Sequence, residues 1–263
     1  MEHSLIVLVL LVQMISARGR VDPAHQEPER RPQPLQELMR MEVVYPQQKG
    51  EWQATLISDY QKFQGGDSFS VPVAVEYGLT DAWQVGVEWL PYTRVGSAGG
   101  TESGRGGVAL ESKYSFMNIH GSAVHAAAGI DLELQRGPAT DGGVENGHEV
   151  ETFGAVALDW GKRVSLFAHV GVIAARTAPE EGEPDGRLTW STGELIALPK
   201  ATLAVELNFI NNRGFRRGTG GTYLTPSVTV HPHSGWEMAV GVPIGLTTRS
   251  NAFSVIGHLI YER

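Results

Sequence analysis

The segment Val124–Leu134, VHAAAGIDLEL, decides the fold. Every even-numbered residue in it is apolar, whereas His125, Asp131 and Glu133 fall on the odd-numbered face. Such alternation is typical of a β-strand, because successive side chains of a strand point to opposite sides. A helix of the same length would instead repeat its apolar residues every three or four positions. The segment therefore predicts a strand between an apolar and a polar environment.

The same period of two recurs on both sides of this segment, from Trp52 almost to the end of the chain. Each repeat runs to about ten residues, which is the length of a tilted strand that crosses a membrane. Val164–Arg176 departs from the pattern because it is apolar on both faces, and Glu194 interrupts an otherwise apolar face. The twelve predicted strands are Trp52–Tyr60, Ser68–Tyr77, Trp83–Trp89, Val108–Phe116, Val124–Leu134, Val150–Trp160, Val164–Arg176, Gly186–Ala197, Thr202–Phe209, Thr222–His231, Trp236–Gly245 and Ala252–Tyr261.

The connections between the predicted strands alternate in length. Every second one is a tight turn, as at Gly161–Arg163 and Pro232–Gly235, and most of the others are longer and rich in Gly, Asp and Glu, as at Gln135–Glu149. Outer-membrane barrels sort their connections in this way. Aromatic residues such as Trp83 and Trp160 lie beside the predicted tight turns, where membrane interfaces favour them. The predicted fold is therefore all-β: a transmembrane antiparallel up-and-down β-barrel of about twelve strands.

Composition excludes several other classes of protein. The chain has 263 residues with 32 Gly, no Cys and a formal net charge of −8. Each Gly inside a helix costs about 1 kcal/mol relative to Ala, which argues against a helical enzyme. The lack of Cys excludes a disulfide scaffold, a Cys-ligated zinc site and a thiol nucleophile. An acidic chain also lacks the basic surface that binds phosphates, so we expect no nucleic-acid partner. The sequence has no nucleotide-binding motif, and we expect no cofactor.

The first fifty residues differ from the rest. Leu5–Ile15 is an apolar run followed by the small residues Ser16 and Ala17, which is typical of a secretory signal peptide. We therefore expect a cleavable signal peptide over residues 1–18. Residues 19–49 are rich in Pro, Gln, Glu and Arg, and predict a flexible Pro-rich periplasmic tether. The barrel is expected over residues 50–263.

Three runs of sequence resemble one known family. Val75–Tyr92, VEYGLTDAWQVGVEWLPY, resembles the second hairpin of the outer-membrane proteins named for the MetA pathway of phenol degradation. VELNFIN at Val205–Asn211 and YLTPSVTVHPHSGWEMAVGVPIGL at Tyr223–Leu246 resemble the end of that family. The resemblance covers most of Glu51–Tyr261. It implies an outer-membrane barrel associated with the uptake of small organic compounds, and its motifs carry no catalytic residue.

The polar faces of the strands carry the candidate functional residues. Carboxylates dominate these faces, with Arg105 and Lys113 as the clear basic residues. Because an unpaired charge cannot be buried in a dry interior, the pattern predicts a wet, mildly acidic lumen rather than a sealed core. The histidines on these faces suit either a solute path or a packed interior. The candidate lumen-lining residues are Asp59, Glu76, Glu88, Glu111, Lys113, His125, Asp131, Glu133, Glu206, Asn208, Glu237 and His258.

The favoured hypothesis is a porin-like outer-membrane transporter, not an enzyme, that passively admits small solutes such as hydrophobic or aromatic compounds. Its expected partners are outer-membrane lipids, lipopolysaccharide and the barrel-assembly machinery. One alternative is a structural barrel with a plugged lumen, which ordered side chains across the lumen would favour. Another is a membrane-embedded lipid hydrolase, which would need Ser and His on the outer face. His231 and His233 suggest a metal pair, but an exposed turn is the preferred interpretation and no metal is expected.

Overall fold

The computed structural model describes residues 38–134, 148–176, 186–211, 221–248, 250 and 253–263. These residues form fourteen β-strands and one 3-10 turn at Ile119–Gly121. The strands are β1 Trp52–Phe63, β2 Gly66–Thr80, β3 Trp83–Ser97, β4 Gly100–Gly104, β5 Val108–Phe116, β6 Val124–Leu134, β7 His148–Trp160, β8 Val164–Arg176, β9 Gly186–Ala197, β10 Ala201–Asn211, β11 Gly221–His233, β12 Trp236–Gly241, β13 Ile244–Gly245 and β14 Phe253–Glu262.

The strands form one closed antiparallel barrel. Each wall strand pairs with the next, and β14 returns to pair with β1 from Gln53↔Glu262 to Lys62↔Phe253. Twelve strands build the wall, because β4 pairs with β3 alone and β13 continues β12. Closure leaves the twelve wall strands without an open sheet edge, so their backbone groups are satisfied within the wall. The predicted twelve-stranded up-and-down barrel is confirmed.

Two departures from the predicted strands have local causes. The predicted strand Trp236–Gly245 is interrupted after Gly241, because Pro243 has no N–H to donate to a neighbouring strand. The connection between the predicted strands Trp83–Trp89 and Val108–Phe116 is itself partly strand, because β3 continues to Ser97 and the chain turns back as β4, with Ser97 opposite Gly100. The positive φ of Gly100 permits this reversal.

The alternation read from the sequence separates the outside of the barrel from its inside. On β10, Leu203 and Val205 are 43% and 48% exposed, whereas Thr202 and Glu206 are buried. Large apolar side chains cover the outer surface along the other strands in the same way. Among the described residues, no helix is both long and apolar enough to cross a membrane.

Exposed aromatic side chains lie toward both ends of the barrel, with Trp190 and Phe253 nearer the long connections and others beside the tight turns of the opposite end. We call the latter the short-turn end, because neighbouring strands are joined there by tight turns such as residues 161–163 and 234–235. The exposed aromatic residues that flank these turns are Trp83, Phe116, Trp160 and Trp236. The predicted loop Gln135–Glu149 lies outside the described residues, except for its last two, which belong to β7.

Residues before β1 pack inside the barrel. We call residues 38–48 the lumen segment. Val43, Val44 and Gln47 are fully buried, and Leu38 and Tyr45 are nearly so. The prediction of a flexible tether over residues 19–49 is therefore wrong for this part of the chain. Its apolar run is short and follows a Pro-rich stretch, so average composition concealed it. Residues 1–37, with the predicted signal peptide, lie outside the described residues.

Candidate functional site

The lumen segment joins the barrel wall at the short-turn end. The Gly50 N–H donates to the Gly78 carbonyl at 2.9 Å, and the Gly78 N–H donates to the Glu51 carbonyl at 3.0 Å. A Cβ atom at Gly78 would collide with the carbonyl oxygens of Gln47 and Gln48. Gly78 therefore permits the backbone of the segment to approach the backbone of β2.

Four amide and carboxylate side chains hold the segment just inside this end. The Gln47 N–H donates to Gln84 Oε1 at 2.9 Å, and Gln47 Nε2 donates to Gln53 Oε1 at 2.9 Å. Glu76 in turn accepts from Gln84 Nε2 at 2.7 Å and from Gln53 Nε2 at 3.2 Å. One carboxylate on β2 thus orients two glutamines on the neighbouring strands, and both bind the segment.

Tyr45 binds a buried carboxylate on β7. Its hydroxyl donates to Asp159 Oδ1 at 2.6 Å, and the Ser165 hydroxyl donates to the same oxygen at 2.7 Å. His125 Nδ1 accepts the Asn118 N–H at 3.0 Å, so its proton lies on Nε2, which is 3.1 Å from Asp159 Oδ2. Three side chains therefore satisfy Asp159, and one of them belongs to the lumen segment.

A charged pair connects the segment to β5. Lys113 Nζ lies 3.0 Å from Glu42 Oε2, and the Lys113 side chain is only 1% exposed. Glu111 faces the same way as Lys113, two residues along the strand. The lysine therefore counters negative charge from the segment and from the wall together.

Glu206 binds the far end of the described segment. Its carboxylate accepts the backbone N–H groups of Met39 at 2.8 Å and Arg40 at 3.1 Å, and the Asn208 amide donates to it at 3.3 Å. Glu206 is fully buried and lies midway along β10. The Arg40 guanidinium lies 4.8 Å from the centre of the Tyr223 ring. The segment thus extends from the short-turn end to the middle of the lumen.

Contacts with the lumen segment explain why β8 is apolar on both faces. Phe167 of β8 and Leu195 of β9 point inward and pack in one buried cluster with Val43, Val44 and Tyr45. The Tyr45 and Phe167 rings meet edge to face, with centroids 6.0 Å apart. The inner face of β8 is apolar there because it contacts protein rather than water.

Inward glycines make room for the methionines of the segment. A Cβ atom at Gly241 would collide with the Met39 side chain, and one at Gly193 would lie 3.2 Å from Met41 Cε. Side chains of ordinary size at these two positions would push the segment from the wall. The barrel interior is therefore shaped around the lumen segment.

A cavity of about 420 Å³ remains beside the segment. Apolar residues from both the segment and the wall, such as Leu38 and Ile57, line part of it. Arg40 is the one lysine or arginine in its described lining. The eight carboxylate residues that line it are Glu42, Asp59, Glu76, Glu88, Glu111, Asp131, Glu133 and Glu151.

The twelve residues predicted to line the lumen all face the interior, but they have different surroundings. Lys113, His125 and Glu206 are occupied with the lumen segment or with its partner Asp159. Glu237 lies at the short-turn end, 3.1 Å from His231 Nδ1. The eight residues that line the cavity are Asp59, Glu76, Glu88, Glu111, Asp131, Glu133, Asn208 and His258.

Sequence analysis missed residues of two kinds. Glu151 and Asp159 share the inward face of β7 with Phe153, and the even spacing of these positions in the sequence already carried that signal. Tyr45 and Glu42 could not be found from strand periodicity, because the lumen segment is not a strand. The run of Met, Val and Tyr after the Pro-rich stretch was the available signal.

The histidines and carboxylates do not form a metal site in the part of the chain that the structure describes. No group of three or more of them is arranged to hold a metal ion. His231 has a carboxylate neighbour, Glu237, that the sequence did not reveal, and its Nε2 lies 3.4 Å from Thr202 Oγ1.

The same architecture occurs in solved outer-membrane channels. The crystal structure of the COG4313 outer-membrane channel from Pseudomonas putida F1 superposes with a TM-score of 0.64, over 84% of this chain and 98% of that chain, at 14% sequence identity. The chain has the fold of an outer-membrane channel. The NanC porin (TM-score 0.57, 10% identity, 80% of this chain and 99% of that one) shares this fold. So does the KdgM porin (TM-score 0.55, 9% identity, 79% and 98%).

The likeness concerns the barrel and does not extend to a particular solute. No family profile matches the chain, and no curated protein sequence matches it. The link to the MetA pathway of phenol degradation stays a prediction.

Proposed function

We propose that the protein is an outer-membrane channel for small solutes that its own lumen segment occludes, and that it conducts when this segment is displaced. The observation that carries the proposal is the position of residues 38–48 inside a closed barrel, beside a cavity of about 420 Å³. A barrel that served only as a scaffold would have no need of such a space. Transport rather than catalysis is therefore the proposed activity.

The outer surface supports placement in the bacterial outer membrane. Its exposed side chains are largely apolar, and exposed Trp residues flank the short turns, where an interface with water is expected. In this placement the short-turn end faces the periplasm. The same proposal includes export by the predicted signal peptide, folding by the barrel-assembly machinery and contact with lipopolysaccharide.

The segment is suited to displacement because it does not belong to the wall. Its polar contacts with the barrel are side-chain hydrogen bonds at Glu206, Asp159 and Gln84, together with the Lys113 ion pair. Its apolar contacts are those of the buried cluster around Phe167. Hydrogen bonds contribute about 0.5–1.5 kcal/mol each, and up to about 3 kcal/mol with a charged partner. The wall strands instead pair along most of their length. Removal of the segment therefore costs less free energy than opening the wall.

The charge of the cavity favours cationic and neutral solutes over anionic ones. Eight carboxylate residues line the cavity, whereas Arg40 alone brings a fixed positive charge to its described lining. In a narrow channel of low dielectric constant, such a field concentrates cations and repels anions. The apolar part of the lining is compatible with the uptake of hydrophobic or aromatic compounds that the family resemblance implies.

One observation favours the alternative of a structural barrel, namely the ordered segment across the lumen. The lipid hydrolase alternative has no such support. His125, His169 and His258 all face the interior, and none of them lies on the described outer surface beside a Ser. The choice is therefore between a channel that opens and one that stays plugged.

Planar-bilayer recording of the full chain separates these two. In the variant Glu42→Gln/Tyr45→Phe/Glu206→Gln, three contacts of the segment are weakened at once. We expect more frequent openings than in the wild type, with reversal potentials that show a preference for cations. The matched control is Glu102→Gln/Tyr92→Phe/Glu194→Gln, which makes the same chemical changes at exposed positions. Equal conductance of all three proteins would support the plugged barrel.

A further inference from the structure

Carboxylates stand directly opposite one another on three neighbouring strands. Glu111 of β5 pairs with Asp131 of β6, and Asp131 pairs with Glu151 of β7. Residues in such register have their Cβ atoms about 5 Å apart, and like charges at this separation destabilise a sheet. Glu42 of the lumen segment and Glu88 of β3 face the same cavity. The arrangement calls for a positive group from elsewhere.

Lys113 and Arg40, the described positive groups on these strands and in the cavity lining, do not balance the row. Lys113 is the only lysine or arginine in the described residues of β5, β6 and β7. Its Nζ lies 3.0 Å from Glu42. Arg40 lies against Tyr223 of β11 and, at 3.5 Å, donates to Ser254 of β14. These strands belong to the part of the wall farthest from β5 and β6 in the strand order.

Two carboxylate oxygens of this row have no hydrogen-bond donor. Glu111 Oε1 and Asp131 Oδ1 are shielded from solvent, and no described residue donates to either. Both side chains line the cavity. Leaving a buried ionisable acceptor without a donor is strongly unfavourable. A ligand in the cavity that supplies N–H groups together with positive charge would satisfy both carboxylates once they rotate toward it.

The surroundings select an organic cation over a metal ion. As no three acidic or histidine side chains of the described residues converge on one point, the row offers no coordination sphere. The Phe153 ring lies over Gly129, two residues along β6 from Asp131, and adds an apolar surface beside the carboxylates. The cavity volume of about 420 Å³ is typical of sites for small organic ligands.

We propose that Glu111 and Asp131 bind the primary ammonium group of a small organic amine, whose apolar body lies in the cavity toward Phe153. A primary ammonium donates three hydrogen bonds, which suits two oxygens that lack donors. The amine would be a solute of the channel, so this role rests on the proposed function, whereas the binding itself requires no transport.

Isothermal titration of the full chain in non-ionic detergent tests the site. The probe is hexylammonium, and three analogues are compared with it. Hexan-1-ol lacks the charge, hexanoate has the opposite charge, and hexyltrimethylammonium keeps the charge but lacks the N–H donors. We expect saturable binding of hexylammonium and at least tenfold weaker binding of each analogue. In Glu111→Gln/Asp131→Asn the affinity for hexylammonium should fall at least tenfold. Glu102→Gln/Glu194→Gln, which also replaces two carboxylates by amides but outside the lumen, should bind as the wild type does.

Three results would overturn the site. They are unchanged affinity in the folded Glu111→Gln/Asp131→Asn variant, equal binding of hexan-1-ol, and displacement of hexylammonium by equimolar calcium. If the double variant does not show the gel mobility of the folded barrel, Asp131→Asn alone is measured against the same thresholds. If the wild type binds hexylammonium but Glu42→Gln/Tyr45→Phe/Glu206→Gln does not conduct, the proposed channel is refuted and the binding site is kept. If that variant conducts but the wild type does not bind hexylammonium, the binding site is refuted and the channel is kept.

Discussion

The Tyr45 hydroxyl lies 2.6 Å from Asp159 Oδ1, and this hydrogen bond ties the lumen segment to the wall of the barrel. Asp159 also accepts from Ser165, and His125 orients it from the other side. A carboxylate that already has partners in the wall can release Tyr45 without becoming unsatisfied. The hydrogen bond therefore holds the segment, and its loss leaves no buried carboxylate without a partner.

Tyr45→Phe should loosen the segment while the barrel stays folded. The variant keeps the ring contact with Phe167 and loses a hydrogen bond to a charged group, worth about 1.5–3 kcal/mol. Channel recordings should show more frequent openings than in the wild type. Tyr92→Phe removes a hydroxyl from an exposed tyrosine and is the matched control. If both variants open alike, Tyr45 does not hold the segment.

Removal of Lys113 should be far more damaging than removal of its partner Glu42. Lys113→Met leaves Glu42 and the neighbouring Glu111 without their cation, and an unpaired buried charge costs about 3–5 kcal/mol. Glu42→Gln leaves Lys113 next to Glu111 and should cost only about 1 kcal/mol. The free energy of unfolding in urea measures both variants. Equal losses would show that the lysine serves Glu42 alone.

The outward face should reject charge. Leu110→Arg places a guanidinium on the half-exposed outer surface of β5, opposite the apolar residues Val87 and Leu132, where hydrocarbon would cost about 2–4 kcal/mol near the membrane midplane. Glu88→Gln, which faces the cavity, should fold as the wild type does. Folding into lipid vesicles, followed by the heat-dependent gel shift, compares the two. Equal folding would mean that the outer surface is not in lipid.

Gly241→Ala should displace Met39 from the wall, because the added methyl group would occupy the space of its side chain. We expect increased conductance with little loss of barrel stability. Gly154→Ala is the control, since its nearest non-neighbouring atom would be the Ala127 carbonyl oxygen at 4.0 Å. An increase in both variants would point to a general loosening of the barrel.

The strands of the wall could be predicted from the sequence because the pattern that identifies each strand lies within that strand. The alternation along β6 or β10 is imposed by two environments on opposite sides of one strand, and it needs no knowledge of distant residues. Even Val164–Arg176, apolar on both faces, has the predicted bounds. The break at Pro243 and the hairpin at Gly100 depend on single backbone positions, which period alone does not reveal.

The content of the lumen could not be predicted in the same way. Glu206, Lys113 and His125 face inward, but their partners Met39, Glu42 and Asp159 lie 34 to 167 residues away in the sequence. A buried segment without regular structure leaves no periodic signal. Its traces were indirect, in the inward Phe167 and in the glycines that accommodate its methionines.

The most direct test of the central claim is a reversible link between the segment and the wall. The chain has no cysteine, and Met39 Cβ would lie 3.3 Å from a Cβ atom at Gly241, close to the separation that a disulfide requires. The measurement is the conductance of Met39→Cys/Gly241→Cys in planar bilayers before and after reduction, with each single variant as a control. We predict that oxidation suppresses openings at least tenfold and that reductant restores them, while the single variants do not respond. Equal conductance of the oxidised and reduced protein, with the disulfide verified by mass spectrometry, would contradict control of the channel by its lumen segment.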